Sequence, residues 1–394
     1  MSESGTASTS KSDPAARSSR TTFWPPAPAS AGPDTDVRVI ALDGSPSERS
    51  RHMRMKTKGT VLLAVALSGS LAMAGCASQN GGLKAAQKAA AAQKGTGGGG
   101  IPGLNNGKRF TIAMVTHESP GDTFWDKIRS GAQAAAAKDG VNLKYSNDPD
   151  ASKQAALIQN AVTSKVDGIA TTLATPDSLA GAVKGALSAK IPVVAFNSGI
   201  GQYKQLGAMM YFGSDENLAG ATVGQNIAKA GGHKPLCVIQ AAGSVALEAR
   251  CAGVKKGVSS TENIQVNGLS IPSVTSTIAA KLAQDKSIDW IVTLGAPIAM
   301  AALQALQQAG RSGSVKLATF DLNADAAKAI QNGQIQFSVD QQPFLQGYLA
   351  VDSLWAYLVN GNDIGGGQPV LTGPSIVDKS NIAKIAQYAT RGTR

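Results

Sequence analysis

The sequence predicts an α/β fold in which two parallel β-sheets, each covered on both faces by helices, form two Rossmann-like lobes. Three observations carry this. From Arg109 onward, short β-type runs alternate with longer helical patterns, as repeated βαβ units do. The strands that can be drawn, roughly ten of them, are more than one doubly wound sheet of this length holds comfortably. The rhythm also runs undisturbed to Gly213 and restarts near Asp215.

Taken in chain order, the expected strands are 110–116, 141–146, 168–173, 192–197, 209–213, 236–241, 264–269, 290–294, 316–320 and 335–339. Helical patterns fill most of the gaps between them: 123–138, 152–164, 178–189, 217–230, 247–258, 274–284, 298–309, 324–332 and 344–359. Gly140 and Gly310 stand where helices should end, because glycine takes the left-handed conformation of a C-terminal cap freely. Asp177 is placed to cap the helix beginning at Ser178. Pro343 opens a helix at a position that needs no N–H donor.

The first hundred of the 394 residues differ from the rest. Residues 1–52 are rich in Ser, Pro, Ala and Arg without periodicity, and are expected to be disordered or not translated. Met53 and Met55, then Lys56 and Lys58, precede an apolar run from Val61 to Met73. A basic segment followed by a short apolar core is a secretory signal, here 53–75. It ends in Leu71, Ala72, Met73, Ala74, Gly75 and Cys76, which resembles a bacterial lipobox and implies lipid attachment at Cys76. The Gly-rich stretch 76–108 reads as a flexible tether. The expected location is therefore outside the cytoplasm, on the cell membrane.

The formal charge of +11 falls once the leader is set aside, and no run reaches the density of a nucleic-acid-binding tail. Aromatic residues make up 5% of the chain, too few for stacking platforms, so no nucleic-acid partner is expected. Cys237 and Cys251 lie in an exported chain, which favours a disulfide over two buried thiols. Closing a loop of that size would stabilise the fold by about 3 kcal/mol.

Several chemistries are not supported. The first strand continues as Thr116, His117, Glu118, Ser119, Pro120 and Gly121, which is no dinucleotide-binding turn, and a phosphate-gripping loop is missing as well. No residues at zinc spacing occur. Ser198 and Ser244 lie outside any nucleophile elbow. The chain is thus expected to be no enzyme, with no catalytic residues, no metal and no cofactor.

Ligands of open α/β sheets bind beyond the carboxyl ends of the strands. There the sequence places Asp122, Phe124 and Trp125 after the first strand, Asn197 after VVAF, Asp321 after ATF and Gln341 after SVD. Aromatic faces stack on the C–H surfaces of sugars and polyols, while carboxylates, amides and guanidinium groups bond the hydroxyls.

The stretches TFWDKIRSGAQAAA, VDGIATTLATPDSLAGAV, IPVVAFNSG, ALEARCAGV and LATFDLNADAAKAIQNGQIQFSVDQQPFLQGYLAVD resemble, in order and spacing, the ribose-type (type I) periplasmic binding proteins. These are solute receptors of sugar ABC transporters. The resemblance covers residues 109–394. It implies that Phe124 and Trp125 sandwich a sugar ring and that Asp122, Asn197, Ser198, Arg250, Asp321 and Gln341 bond its hydroxyls. His117 is placed at the mouth together with Glu118, the alternative for both being plain solvent exposure. For Arg250 the alternative is a surface ion pair, for instance with Glu248; for Asp321 and Gln341 it is helix capping or strand termination. Ribose binders commonly carry Arg where this chain has Ser198 and Asn where it has Gly295, so the expected ligand is another pentose, a hexose or an acyclic polyol.

The resemblance further implies lobes of 109–213 with 342–372 and of 214–341 with 373–394, joined by a hinge and closing over one sugar, in a protein that acts as a monomer and delivers the ligand to an ABC permease. A receptor that presents its sugar to a membrane sensor, or an exported α/β enzyme, is the alternative reading. A DNA-binding regulator of the same body plan would need a helix-turn-helix where this chain has its signal and tether.

Overall fold

The computed structural model describes residues 107–394. The leader, Cys76 and the tether up to residue 106 lie outside the described residues. Along the chain run β1 (Thr111–Thr116), α1 (Phe124–Asp139), β2 (Asn142–Asn147), α2 (Ala151–Thr163), β3 (Gly168–Thr171), α3 (Pro176–Ser188), β4 (Val193–Phe196) and β5 (Met210–Ser214). There follow α4 (Glu216–Lys229), β6 (Pro235–Ile239), α5 (Val245–Gly257), β7 (Glu262–Gln265), α6 (Ile271–Gln284), β8 (Trp290–Thr293), α7 (Ala296–Gln308), β9 (Lys316–Phe320), α8 (Ala324–Gln331) and β10 (Phe337–Asp340). The chain ends with α9 (Pro343–Asn360), β11 (Val370–Gly373), β12 (Ser375–Asp378) and α10 (Ile382–Thr390).

The strands form two six-stranded sheets, ordered β11-β5-β4-β3-β1-β2 and β12-β10-β9-β8-β6-β7. Every pairing is parallel except β10 with β12. The chain crosses between the sheets three times: after β5, after β10, and between β11 and β12. Central strands β3, β4, β6 and β8 are buried at every residue, as strands covered on both faces must be. Each sheet carries an apolar layer on either face: Ile112, Phe196 and Leu354 against Ile169, Leu179 and Tyr211 in the first, Leu236, Ile278 and Leu317 against Val223, Ile239 and Phe320 in the second.

Helix starts follow local chemistry. The Asp150 carboxylate accepts from the N–H groups of Ser152 and Lys153 at the head of α2, Asp215 from Leu218 in α4, and Asn323 from Ala326 in α8. Gly140 closes α1 in the left-handed conformation. Asp177 does not cap α3: the helix starts earlier, with Thr175 at the cap and Pro176 as its first residue, since the fixed φ of proline suits that position.

Three elements escape the sequence reading, β11, β12 and α10. They are poorly buried: α10 buries only Ile382 and Ala389. The expected strand 264–269 is displaced to Glu262–Gln265, because Asn267 folds the chain into a turn, its Oδ1 accepting from the Leu269 N–H. Cys237 in β6 and Cys251 in α5 are joined by a disulfide.

Helices α4 and α5 touch backbone to backbone. A Cβ on Gly220 would lie 2.0 Å from the Arg250 carbonyl oxygen, and one on Gly253 would lie 2.5 Å from the Asn217 carbonyl oxygen. Only glycine permits this approach, and it sets the first turn of α4 against Arg250.

Candidate functional site

A cavity of about 760 Å³ lies between the carboxyl ends of the two sheets. The first sheet contributes the loop after β1, from His117 to Trp125, together with Pro149 after β2 and Asn197 after β4. The second contributes residues after β6, β7, β8 and β9, among them Gln240, Arg250, Gly295 and Asp321. Gln341, at the second crossing, completes it. Of the residues singled out in the sequence, His117, Asp122, Phe124, Trp125, Asn197, Arg250, Asp321 and Gln341 all line this one cavity.

Ser198 does not. It is buried outside the cavity, and its hydroxyl has no hydrogen-bond partner among the described residues. The cause is the backbone at Asn197, held at φ 64°, with the Ser198 N–H closing a tight turn onto the Phe196 carbonyl at 2.7 Å. The turn brings Asn197 to the cleft and takes its successor away from it.

Phe124 and Trp125 cannot hold a sugar between them. Their ring centroids are 5.2 Å apart at an interplanar angle of 86°, edge to face, so no ring fits between them. Trp125 also meets the His117 imidazole edge to face at 4.8 Å. Both aromatic residues belong to the apolar layer of the first lobe and offer the cavity one surface. His117 is part-buried, its Nδ1 2.7 Å from the Thr172 hydroxyl. Burial and the nearby Arg250 guanidinium hold its pKa down at about 4, so the ring is neutral at pH 7. Glu118 turns from the mouth: both its oxygens accept from Arg129, at 2.7 and 2.8 Å, and one also accepts from the Tyr145 hydroxyl.

Arg250 is fully buried, and its ion pair is with Glu216 of α4 rather than Glu248. Its Nε donates to Glu216 Oε2 at 2.5 Å and its Nη2 to Glu216 Oε1 at 3.1 Å, while Nη1 donates to the Leu294 carbonyl at 3.1 Å. The guanidinium lies over the Phe320 ring. Three of the five N–H donors of the arginine are thereby used, and the remainder are available at the cavity wall.

A polar chain crosses the floor. Gln341 Nε2 donates to Asp321 Oδ1 at 2.7 Å, and its Oε1 accepts from Asn197 Nδ2 at 3.3 Å and from Gln346 Nε2 at 3.0 Å. When Asp321 is ionised it can only accept, and the orientation of each amide follows from it in turn. Asn197 is left with Oδ1 as its spare acceptor, and Asp321 with Oδ2. Asp122 Oδ1 accepts from the Phe124 N–H at 3.0 Å, leaving Oδ2 spare. Burial raises the pKa of Asp122, and pushes that of Asp321 up to about 7 against the opposing pull of Arg250 and Gln341.

Sequence reasoning missed Glu216, Gln240 and Gln346. Glu216 looks like an ordinary acidic residue of a helix first turn. Gln346 is a buried polar residue on the core face of α9, within the stretch that carries the family resemblance.

The lobes also touch across the cleft, where the Val245 N–H at the head of α5 donates to the Ala174 carbonyl after β3 at 3.0 Å. Two sheets with their strand ends around one cavity, and polar side chains from both reaching into it, are the architecture of a binding protein for a small polar solute.

The chain belongs to the periplasmic binding protein domain family, whose model matches residues 112–363. It is 56% identical to a carbohydrate transporter from Acidothermus cellulolyticus 11B solved in complex with myo-inositol, covering 73% of this chain and 100% of that one, with a TM-score of 0.72. An ABC transporter solute-binding protein from Burkholderia graminis C4D1M, solved with D-arabinose, is 26% identical, with 70% of this chain and 97% of that one covered and a TM-score of 0.64. The xylose/arabinose-binding protein XylF of Sulfolobus acidocaldarius is 23% identical over 320 residues, 74% of this chain and 79% of the relative. The fold is that of the type I periplasmic binding proteins, and the family consists of extracytoplasmic binding proteins rather than enzymes.

Proposed function

We propose that this chain captures a monosaccharide or cyclic polyol outside the cell, closes over it by hinge bending and hands it to the permease of an ABC transporter. The observation that carries the reading is the set of spare acceptors around one cavity, Asp122 and Asn197 from one lobe and Asp321 from the other. Such a wall suits a ligand rich in hydroxyl donors. A cyclitol, in which every oxygen is a hydroxyl, fits it better than an aldopyranose, whose ring oxygen only accepts. The myo-inositol complex of the 56% identical relative supports the same class.

The moving bodies are 109–213 with 342–372 and 214–341 with 373–394, and the protein acts as a monomer tethered through a lipid on Cys76. Contacts from the second lobe are complete only in the closed form, which couples binding to closure. Calorimetry of the chain from Cys76 onward tests this against myo-inositol, pentoses, hexoses and linear polyols. Saturable binding of one ligand per chain is expected for at least one of them, and response only to amino acids or peptides overturns it. For the anchor, Cys76→Ala is expected to release the protein from the membrane fraction.

A further inference from the structure

We propose that Gln240 is a specificity-determining residue of the cleft, its side-chain amide standing in for the polar side chain that Gly295 lacks. The inference rests on the polyol reading above and deepens it. Gln240 follows β6 and Gly295 follows β8, the strand beside it, and both line the cavity. A Cβ on Gly295 would meet a single atom within 4 Å, Gln240 Nε2 at 3.2 Å. A Cβ on Gly268 would lie 2.6 Å from the Gln240 carbonyl oxygen and 2.9 Å from its Cβ, and the Gly268 N–H donates to that carbonyl at 3.1 Å. Two glycines thus form a slot that the glutamine fills, with its backbone pinned on one side and its amide resting against the empty position on the other.

The side-chain carbonyl oxygen of this residue is buried, and no described residue donates to it. That oxygen is closed off from the cavity as well, so the group that stands beside the open position at Gly295 and can meet a ligand is the amide nitrogen, Nε2. The NH2 group of a primary amide carries two donors, so it can donate to the oxygens of two neighbouring hydroxyls of a polyol. Gln240 thus reaches the ligand from the strand beside Gly295, at a place where Gly295 itself offers no side chain. A site built to bond a hydroxyl discriminates strongly against an analogue without it.

The test is calorimetry on Gln240→Met, Gly295→Asn and a double variant, Gln240→Ala with Gly295→Asn, using myo-inositol, its single-epimer and single-deoxy analogues, and D-ribose. Ligand-free thermal unfolding checks that each variant folds. Gln240→Met is expected to weaken the preferred polyol by about tenfold or more while barely affecting the deoxy analogue that lacks the contacted hydroxyl. The double variant is expected to bind with a changed order of preference. If Gln240→Met leaves all affinities unchanged, or weakens all by one factor, the inference is overturned while the polyol reading stands. If the unaltered protein binds none of the panel, the polyol reading fails and takes the inference with it.

Discussion

Asn197 and Asp321 occupy the same place in opposite lobes. Each follows the third strand of its sheet, each holds a left-handed backbone, at φ 64° and 65°, and each donates its N–H to the neighbouring strand, at 2.8 Å to Phe212 and 2.9 Å to Val339. Asn and Asp tolerate this conformation better than other residues with a Cβ, so the backbone accounts for part of the choice. The side chains account for the rest, because Gln341 bonds both. The floor of the cavity is thus also a tie between the lobes.

Gln341→Ala cuts that tie. It leaves Asp321 and Gln346 each short of a buried partner, and the ligand-free protein should lose about 1–3 kcal/mol in urea unfolding. Polyol affinity should fall by about tenfold or more, since Asn197 and Asp321 are no longer held in register. Calorimetry showing full affinity would remove Gln341 from the site.

The fold was largely legible because its strands are short apolar runs and its helices repeat an apolar face. β12 and α10 were not, being half-exposed segments held mainly by neighbours that precede them by tens of residues. In the site, Asn197, Asp321 and Gln341 stood out as polar residues ending apolar strands. Glu216 did not: its partner is 34 positions away, and only the glycine contact between α4 and α5 brings them together. The orientation of Ser198 was equally hidden, since it depends on the backbone dihedral of the residue before it.

The buried pair revises what Arg250→Ala should do. An arginine that only bonded ligand could be removed from a folded protein, but removing this guanidinium strands the Glu216 carboxylate, with both side chains at most 5% exposed. Breaking such a pair costs about 3–5 kcal/mol. Arg250→Ala should therefore unfold at markedly lower urea concentration, whereas Arg250→Met combined with Glu216→Leu should recover much of the stability without recovering ligand affinity. Equal urea midpoints for Arg250→Ala and the unaltered protein would contradict the buried pairing.

Trp125 has two tasks that substitutions can separate. Only 4% exposed and packed against Phe124 and His117, it should cost about 3–5 kcal/mol as Trp125→Ala. Trp125→Phe keeps an aromatic in the layer, so its stability loss should be smaller and its affinity loss should report the face offered to the ligand. Unfolding curves and calorimetry on both variants check this; a Trp125→Phe protein with unchanged affinity would leave the indole a packing role alone.

Asp321 and His117 should make stability depend on pH in opposite senses. Burial raises the Asp321 pKa from 3.8 to about 7, so between those values the folded protein holds a proton that the unfolded chain has lost. Stability from this group is full below pH 4 and declines as pH rises to 7. For His117, burial and Arg250 lower the pKa from 6.5 to about 4, so the folded protein binds fewer protons in that window and stability rises from pH 4 to 6.5. The two trends overlap, and only variants separate them. The stability of the unaltered protein relative to Asp321→Asn should fall from pH 4 to 7, and relative to His117→Gln it should rise from pH 4 to 6.5. Comparing each variant with the unaltered protein in urea at matched pH cancels the other titrating groups. A ligand hydroxyl donating to Asp321 favours its ionised form, so polyol affinity should increase as pH rises towards 7 and level off above it; affinity that is flat from pH 5 to 8 would place Asp321 outside the ligand contact.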